Sequence, residues 1–594
     1  MRFPTLNPGN STREMTDEFR GYNHNLRIGS GELYDEMNLS SDRYPVLSPR
    51  KQRGLFYMTE GDRITGLIEK DTLCAASGTN FIIDGYPVDI GLNDEPKQLV
   101  SMGAYVIILP DKKYINTADL TDFGEIEAYI ETQGPVTFSL AREDGTDYNA
   151  EYLQSSEPLE PDNATLWIDT SSVPHTLKQW SEASGMWVSI ATTYVKISSP
   201  GIGAAFELYD GVDIGGLSDV ELIDNVTGTP IDDPKDLQNL EGSAVIWSKG
   251  DDYITIVGML DVTRTITNQI TISRTMPNMD FVIESNNRLW GCRYGIAENG
   301  DVVNELYASK LGDFKNWNCF MGISTDSYAV SLGSDGVFTG AITHLGYPLF
   351  FKERCLHKVY GSAPSSFQIQ TTACRGVQKG CERSLAIVNE VLYYKAPHAV
   401  CAYDGSLPVE VSSALGDKEY RDAVGCAHGN KYYVDMDDGE EYYLFVYDTK
   451  RGIWHREDDL GFLYLCSCRD DLYGANDNTI ISLLKGDDLE EKEDSVQWMA
   501  ETGEIGISSP DMKYVSRINI RMSMAEGSRL DIFAEYDSNG DWFSVCDLYG
   551  TDLRSFSIPV RPMRCDHMKL RFVGVGDARI YSITKTIEQG SDRS

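Results

Sequence analysis

The stretch that decides the fold is residues 281–361, which read FVIESNNRLWGCRYG at 281–295, YASKLGDFKNWNCF at 307–320 and GVFTGAITHLGYPLFFKERCLHKVYG at 336–361. Two apolar runs, at 288–292 and 348–352, each end in a short turn after which a new run begins. Short apolar runs bounded by turn residues are typical of consecutive β-strands. The same plan recurs downstream as far as residue 485, which predicts the blades of a β-propeller.

Length and composition point to several domains of the all-β class. The chain has 594 residues, too many for one compact core, and 41% of them are hydrophobic. Its 33 tyrosines and 53 glycines favour strands and tight turns over helix bundles. We therefore expect three or four β-rich domains.

The net charge of −39 comes from 91 acidic and 52 basic residues. Such a surface repels phosphate backbones, which argues against ordinary nucleic-acid binding. Two interpretations remain open. The charge serves solubility alone, or it lines a wall that lets DNA pass without holding it.

The 12 cysteines are scattered along apparent strands and show no metal-binding spacing. Scattered thiols in a large domain are typical of small buried apolar side chains in a reducing compartment. The N-terminus lacks the apolar region of a signal peptide, and no run of about 18 apolar residues occurs. These features predict a protein that is made and kept in a cytoplasm, or that leaves it by another route.

The pattern of runs and turns predicts five regions. Between the two blade regions, Trp180 and the strand-like runs 186–190 and 193–197 are predicted to form a hairpin around the turn at 182–185, and Asp233 and Pro234 predict the start of a short helix. We expect six to eight blades. The regions are an extended N-terminal arm at 1–50, the first propeller blades at 51–118, an inserted β-rich module with a small β-barrel at 119–278, the remaining blades at 279–485 and a C-terminal β-sandwich at 495–594.

No metal or cofactor site is predicted. The run from Asp537 to Asp541 is spaced like the start of a calcium loop, but Leu548 stands where the bidentate Glu belongs, so a hairpin turn fits better. The eight histidines show neither HxH nor HExxH spacing. The glycines of GSDGVFTG at 333–340 are followed by no lysine that would hold a phosphate.

No catalytic residue is predicted either, and we expect that the chain is not an enzyme. A propeller hydrolase would need carboxylates that converge on the central channel. Asp326, Asp404 and Asp448 are the candidates, but β-turns use aspartate for its own backbone hydrogen bonds. Trp290 and Trp317 are interpreted as packing between blades rather than as platforms for a sugar.

Four segments of the blade region resemble a known family. They are NELYASKLGDFKNWNCF at 304–320, STDSYAVSLGSDGVFTGAITHLGYPLFFKERCLHKVYG at 324–361, RGVQKGCERSLAIVNEVLYYKAPHAVCAYDGSLPVEVSSALG at 375–416 and YLFVYDTKRGIWHRED at 443–458. They look like β-propeller tail proteins of tailed bacteriophages and prophages, with the hub or nozzle proteins of short-tailed phages as the nearest in role. The resemblance covers residues 279–485 well and the flanking regions more weakly.

This resemblance implies a structural protein of the virion tail, assembled in the cytoplasm of the bacterial host. It implies a homohexameric ring around the DNA exit channel that serves DNA ejection, with DNA passing non-specifically. The partners would be further copies of the chain and other tail or neck proteins, and the inserted module would make contacts between subunits or at the distal tip. Two alternatives stay open: a receptor-binding or baseplate-peripheral tail protein that recognises a cell-surface glycan, and a propeller glycan hydrolase.

Overall fold

A computed structural model describes residues 11–218, 235–297, 300–458, 460–507, 511–561 and 563–589. Strands make up most of these ranges, and within them the only α-helix has four residues. Short 3-10 helices lie at Ser41–Arg43, Pro364–Ser366, Glu382–Ser384, Ser413–Leu415 and Gly486–Asp488. The predicted all-β class with an interrupted propeller is confirmed.

The N-terminal arm contributes strands to other parts of the molecule instead of folding by itself. Its first two strands pair with the C-terminal sheet, the next two pair with each other, and the fifth joins the last blade. The arm therefore touches both ends of the chain's own fold. Its strands are β1 Ser11–Thr16, β2 Leu33–Met37, β3 Leu39–Ser40, β4 Ser48–Pro49 and β5 Gly54–Met58.

Two four-stranded antiparallel blades follow the arm. Their inner strands are buried on both faces because the neighbouring blade covers each face, which is why the run at 105–109 is continuously apolar instead of alternating. The strands are β6 Ile64–Lys70, β7 Thr72–Ser77, β8 Asn80–Ile83 and β9 Tyr86–Asp89 in blade 1, and β10 Gln98–Met102, β11 Tyr105–Leu109, β12 Lys113–Asn116 and β13 Phe123–Glu125 in blade 2.

The inserted module then interrupts the ring. Its elements are β14 Ala128–Glu131, β15 Val136–Ala141, β16 Tyr152–Gln154, β17 Leu166–Asp169, β18 Thr176–Ser181, β19 Met186–Ser189, β20 Tyr194–Ser198, β21 Gly211–Gly215, α1 Lys235–Gln238, β22 Gly242–Val245, β23 Ser248–Gly250, β24 Tyr253–Val257, β25 Arg264–Ile266 and β26 Thr271–Arg274.

Two sheets of this module share one core, and a third, smaller sheet stands beside them. The first has the order β14-β26-β21-β22 and the second β23-β24-β20-β15-β25. Apolar side chains of both sheets, among them Ile272 of the first and Phe138 of the second, form the shared core. The region predicted as a small β-barrel thus consists of two packed sheets, because hydrogen bonds run within each sheet and not around a closed ring. Asp233 and Pro234, predicted to start the helix, lie outside the described residues.

Five more blades complete the propeller. Their strands are β27 Phe281–Ser285, β28 Arg288–Ile296, β29 Val302–Ala308 and β30 Tyr328–Ser331; β31 Gly340–His344, β32 Tyr347–Lys352, β33 Cys355–Tyr360 and β34 Gln368–Ala373; β35 Ala386–Val388, β36 Val391–Ala396, β37 Ala399–Tyr403 and β38 Val409–Glu410; β39 Arg421–His428, β40 Lys431–Asp437, β41 Tyr442–Asp448 and β42 Ile453–Glu457; and β43 Tyr464–Cys468, β44 Asp471–Asn476 and β45 Thr479–Ser482.

The ring has seven blades and is closed by the two ends of the propeller chain. The fourth strand of blade 7 is β5 from the arm, which pairs with β45. The first strand of blade 7, β43, packs against β6 of blade 1, so the ring is continuous. Strand β5 lies in the region predicted for the first blades, but it belongs to the last one. The fourth strand of blade 2, β13, falls inside the range predicted for the insertion.

The C-terminal module is one seven-stranded sheet that bends around its own core. Its strands are β46 Gln497–Thr502, β47 Lys513–Tyr536, β48 Trp542–Pro559, β49 Met568–Val575 and β50 Ala578–Gln589. The long strand β47 pairs with β48 on one edge and with both β50 and β49 on the other. The predicted β-sandwich is a single bent sheet. Arm strands β1 and β2 extend this sheet at β50 and β46.

Two buried arginines join the arm, blade 6 and the linker that follows blade 7. Arg50 contacts Glu493 at 2.9 Å, and Arg53 contacts Glu457 at 2.9 Å. Asp458 accepts from both guanidinium groups, at 3.0 Å from Arg50 and 2.8 Å from Arg53. The arginine side chains are only 4% and 3% exposed and Glu457 is 9% exposed, so loss of Arg53 would deprive this buried carboxylate of its 2.9 Å contact.

Candidate functional site

The central channel of the propeller carries few acids. Seven strands line it, the first of each blade; adjacent ones pack together around the ring except between blades 4 and 5, where β31 contacts the 3-10 helix Glu382–Ser384. These strands contain three carboxylates, Glu69, Glu284 and Asp422, which come from blades 1, 3 and 6. The Oε1 atom of Glu284 accepts from the backbone N–H of Asn287, so it serves its own turn.

The three predicted channel acids lie on other parts of the blades. Asp326 precedes the fourth strand of blade 3 and accepts from the backbone N–H of Gly322 at 2.6 Å. Asp404 follows the third strand of blade 5, where the hydroxyl and the backbone N–H of Ser406 lower its pKa. Asp448 ends the third strand of blade 6 and accepts from Ser41 at 2.6 Å. All three stabilise turns or loops, as aspartate does in β-proteins.

Blade 4 contains a Cys–His pair in which His357 is buried and Cys355 is partly exposed. The sulfur of Cys355 lies 3.7 Å from Nε2 of His357, which also contacts the Ser334 hydroxyl at 2.9 Å. Burial, with a smaller contribution from Lys352, lowers the pKa of His357 to about 4, and burial raises the pKa of Cys355. A nucleophilic pair needs thiolate and imidazolium, so both shifts oppose that chemistry.

The cysteines and acidic side chains form no metal-binding cluster in the part of the chain that the structure describes. All twelve cysteines are free thiols, and burial raises the pKa of Cys74 to about 12. The predicted hairpin turn at 537–541 joins β47 to β48, where Asn539 accepts from the backbone N–H of Asp541 at 3.0 Å. None of these groups is arranged for ligand chemistry.

The blade tryptophans are core residues, as predicted. Trp317 packs between blades 2 and 3, and its indole donates to the Phe314 carbonyl at 3.0 Å. Trp290 lies in the core that blades 3 and 4 share, edge-on to Phe367 at 4.9 Å. Neither ring is available to a ligand.

A different set of tryptophans lies on the small sheet β16-β17-β18-β19 of the inserted module. One side of this sheet, with Leu166, Ile168 and Leu177, packs on the module. The opposite side carries Tyr152, Trp167, Lys178, Trp180 and Trp187, which we call the tryptophan face. Trp167 is buried and the other four are partly exposed, and among the described residues none of the five belongs to the two core clusters of this module.

The three indoles form an edge-to-face row. Trp187 lies 5.3 Å from Trp167 and 5.5 Å from Trp180 between ring centroids. Trp167 is 4% exposed and donates to the Gln154 carbonyl, whereas Trp180 and Trp187 are partly exposed. The Nε1 atom of Trp187 is buried and has no hydrogen-bond partner among the described residues. Trp167 is therefore the fixed base of the row, and the other two rings face outward.

One ion pair balances the charge of the tryptophan face. Lys178 Nζ contacts Asp169 Oδ2 at 2.7 Å and lies over the Trp167 ring at 4.8 Å. The hydrogen bond from Lys178 comes first among the causes that lower the pKa of Asp169 to about 2. With Asp169 ionised, the two charges cancel, and the face presents aromatic rings with little net charge.

Sequence reasoning recognised the hairpin around residues 182–185 but assigned it no role. The signal was present, because that turn sets Trp180 directly opposite Trp187 on paired strands. Trp167 could not be assigned to the same face from the sequence. Its position beside Lys178 depends on the pairing of β17 with β18.

A cavity of about 760 Å³ opens between the arm and the curled C-terminal sheet. Phe19, Ile28 and Phe572 contribute apolar walls, and Lys585 lines it as well. Burial lowers the pKa of Lys585, and Glu14 lies 3.9 Å away. The cavity marks incomplete packing where the arm crosses the sheet.

Comparisons with known proteins identify no family. No family model and no curated protein matches the chain. Solved structures match weakly: an exo-β-1,3-galactanase from Phanerochaete chrysosporium aligns over 51% of this chain and 94% of its own, at 7% identity and a TM-score of 0.21.

Two further solved structures align at similar levels. The acylaminoacyl peptidase of Pyrococcus horikoshii aligns over 50% of this chain and 46% of its own, at 11% identity and a TM-score of 0.23. The extracellular domain of a putative hybrid two-component system from B. thetaiotaomicron aligns over 90% and 95%, at 10% identity and a TM-score of 0.20.

The prediction that the chain is not an enzyme is contradicted, because the aligned structures include glycoside hydrolases such as the exo-β-1,3-galactanase. We withdraw that prediction. At these identities and TM-scores, the matches assign no activity or substrate to this chain. Within the described residues, no helix is long and apolar enough to cross a membrane.

Proposed function

We propose that this protein is a structural subunit of a bacteriophage tail, which assembles into a ring of six copies around the DNA channel and serves DNA ejection. The observation that carries the proposal is the path of the N-terminal arm. Within residues 11–58 it adds two strands to the C-terminal sheet and closes the propeller through β5. The propeller and the C-terminal module are thereby tied together.

An arm of this kind would hold the propeller and the C-terminal sheet together under mechanical force. Pulling the C-terminal sheet away from the propeller would break the β1 and β2 ladders and the Arg50 and Arg53 ion pairs together. Interactions that must break at the same time resist force better than the same interactions broken one after another. A subunit of a ring around a DNA channel needs this property.

An open sheet edge supports assembly into a ring. Strand β48 has 18 residues and, in the described part of the chain, pairs only with β47. It exposes Tyr549 at 61% and Leu553 at 50%. A long unpaired edge is a natural place for another subunit to add strands.

The charge is consistent with this role. The net charge of −39 repels the phosphates of passing DNA, and only three acids lie on the strands that line the propeller's own channel. In the proposed ring, the acidic wall is formed by the outer surfaces of several subunits. Other tail or neck proteins, in a virion assembled in the bacterial cytoplasm, are the proposed neighbours.

The mass of the assembled protein tests the proposal. Native mass spectrometry or light scattering of the purified chain, alone and extracted from virions, is expected to give six copies. A stable monomer in both preparations would overturn the ring. Leu553→Asp is expected to weaken assembly if β48 forms the contact. Val173→Asp, at an equally apolar residue of the inserted module that is 92% exposed, is the matched control.

A further inference from the structure

We propose that the tryptophan face of the inserted module is a binding site for a neutral glycan chain. Its five side chains, Tyr152, Trp167, Lys178, Trp180 and Trp187, stand on three paired β-strands and the short parallel strand beside them. The inference does not require the ring, because the site lies within a single chain.

The position of the tryptophans on the sheet supports a binding role. Aromatic side chains that pack a small domain normally point into its core, and this sheet already has a core on its other side, built from Leu166, Ile168 and Leu177. The tryptophans lie on the side away from that core. Three of the chain's nine tryptophans occur within these 21 residues, 167–187, more than stabilising four short strands requires.

The spacing of the indole rings also matches the repeat of a sugar chain. Trp180 and Trp187 are the two partly exposed rings of the row, and their centroid separation of 5.5 Å is close to the length of one pyranose unit, so adjacent sugars lying along the face would meet both rings. Pyranose rings with equatorial hydroxyls have apolar C–H faces that pack on aromatic rings, while their hydroxyls point sideways. Side chains that line the row at its margins, such as Ser189 and Thr176, offer hydroxyls to those groups.

The charges on and around the tryptophan face favour a neutral ligand. Lys178 is held by Asp169 at 2.7 Å, so it has little attraction left for a carboxylate or a phosphate. The protein as a whole carries −39, which further disfavours acidic chains such as polyuronates. The absence of strong local charge suits a hexose polymer of neutral units.

One unsatisfied donor adds a specific point of contact. The indole N–H of Trp187 is buried without an acceptor among the described residues, whereas Trp167 donates to a carbonyl at 2.8 Å. Buried donors in proteins usually have partners. A small rotation of the partly exposed Trp187 ring would bring this N–H to a sugar hydroxyl.

The test measures binding of neutral hexose oligosaccharides to the full chain. The probes are gluco-, galacto- and manno-configured hexamers, with a hexauronate as the acidic arm, followed by calorimetry and by tryptophan fluorescence. We expect at least one neutral hexamer to bind, with little dependence on salt, and the hexauronate to bind less well.

Variants locate the site. Trp180→Ala and Trp187→Ala are each expected to lower affinity about tenfold or more, because one stacked aromatic ring contributes on the order of a decade. Trp180→Phe keeps a ring and should retain most of the affinity. Trp542→Ala is the matched control, since Trp542 is also partly exposed but lies under Arg571 in the C-terminal module.

Three outcomes would overturn the proposal: no binding of any neutral hexamer, equal loss in the Trp542 variant, or unchanged affinity in both alanine variants. Circular dichroism of each variant guards against misfolding, and Trp180→Phe keeps the test valid if an alanine variant unfolds. A monomeric mass would overturn the proposed ring but would not change the result of the glycan-binding experiment. The two proposals can therefore fail independently.

Discussion

Two groups of tryptophans serve different purposes in this molecule. In the propeller, Trp454 of blade 6 is 1% exposed, donates to the Val411 carbonyl at 2.8 Å and stacks against Tyr447 at 4.8 Å. On the inserted module, Trp180 and Trp187 are partly exposed, and the N–H of Trp187 is unpaired among the described residues. The same residue type is a satisfied core side chain in one region and an outward-facing one in the other.

The difference teaches where to look for function in a repeated fold. Each blade is covered on both faces by its neighbours, so the tryptophans of its strands, such as Trp290 and Trp454, are buried in the packing between blades. On the outer side of the small sheet in the inserted module, the described residues cover Trp180 and Trp187 only in part. Side chains there are free to be chosen for binding.

The largest expected effect that tests this comparison is on the stability of the propeller. Trp454→Ala removes a fully buried ring and leaves a cavity, and it should lower the free energy of unfolding by about 3–5 kcal/mol. Differential scanning calorimetry measures this as a lower transition temperature. Trp180→Ala, the control on the tryptophan face, should shift it far less. Equal shifts would show that the two groups are both structural.

The free energy of unfolding should depend on pH by about 3 kcal/mol because of one buried histidine in the blade core. The pKa of His357 is lowered to about 4 from 6.5, mainly by burial. Between these values the unfolded chain binds a proton that the folded chain does not. Stability is therefore lost as the pH falls from about 6.5 to about 4.

His357→Gln should flatten this part of the pH–stability curve measured by urea denaturation. His398→Gln is the control, because His398 is 76% exposed in its side chain. If the slope between pH 6.5 and 4 is the same in wild type and His357→Gln, the blade core does not hold a neutral histidine.

A smaller effect, of about 1 kcal/mol or less, is expected on the tryptophan face. Lys178→Met removes one partner of the buried Asp169, but the carboxylate keeps the hydrogen bond from the Ser171 N–H at 2.9 Å, so the loss of stability should be small. The hydrogen bond from Lys178 is the first cause of the low Asp169 pKa of about 2, so that pKa should rise in the variant. NMR titration of the Asp169 carboxyl carbon checks it. An unchanged pKa would contradict the ion pair that neutralises the face.

The smallest expected effect is on Trp187. Trp187→Phe keeps an aromatic ring and deletes an N–H that has no partner among the described residues, so unfolding should change by less than about 0.5 kcal/mol. Trp317→Phe is the matched comparison, since its N–H donates to the Phe314 carbonyl at 3.0 Å. Calorimetry of both variants should show a clear loss only for Trp317.

Part of the candidate site could be predicted from the sequence. Trp180 and Trp187 flank a recognisable turn at 182–185, so their pairing follows from local chain geometry. Trp167 joins them through β17, which pairs with β18 across an intervening loop, and local patterns carry no information about that partner. Local patterns also could not place Asp326, Asp404 and Asp448 in turns or in the channel. Turn acids and channel acids look alike until the strands are assembled.

The sequence by itself determined the all-β class, the repeating blades from 279 to 485 and the packing role of Trp290 and Trp317, because alternation, turn residues and apolar runs are local properties of the chain. Only the tertiary structure decided that β5 closes the seventh blade, that the arm extends the C-terminal sheet and that three tryptophans share one outward face. The physical reason is that backbone hydrogen bonds between distant strands are nearly independent of side-chain identity. Which edge a strand joins is set by the whole fold.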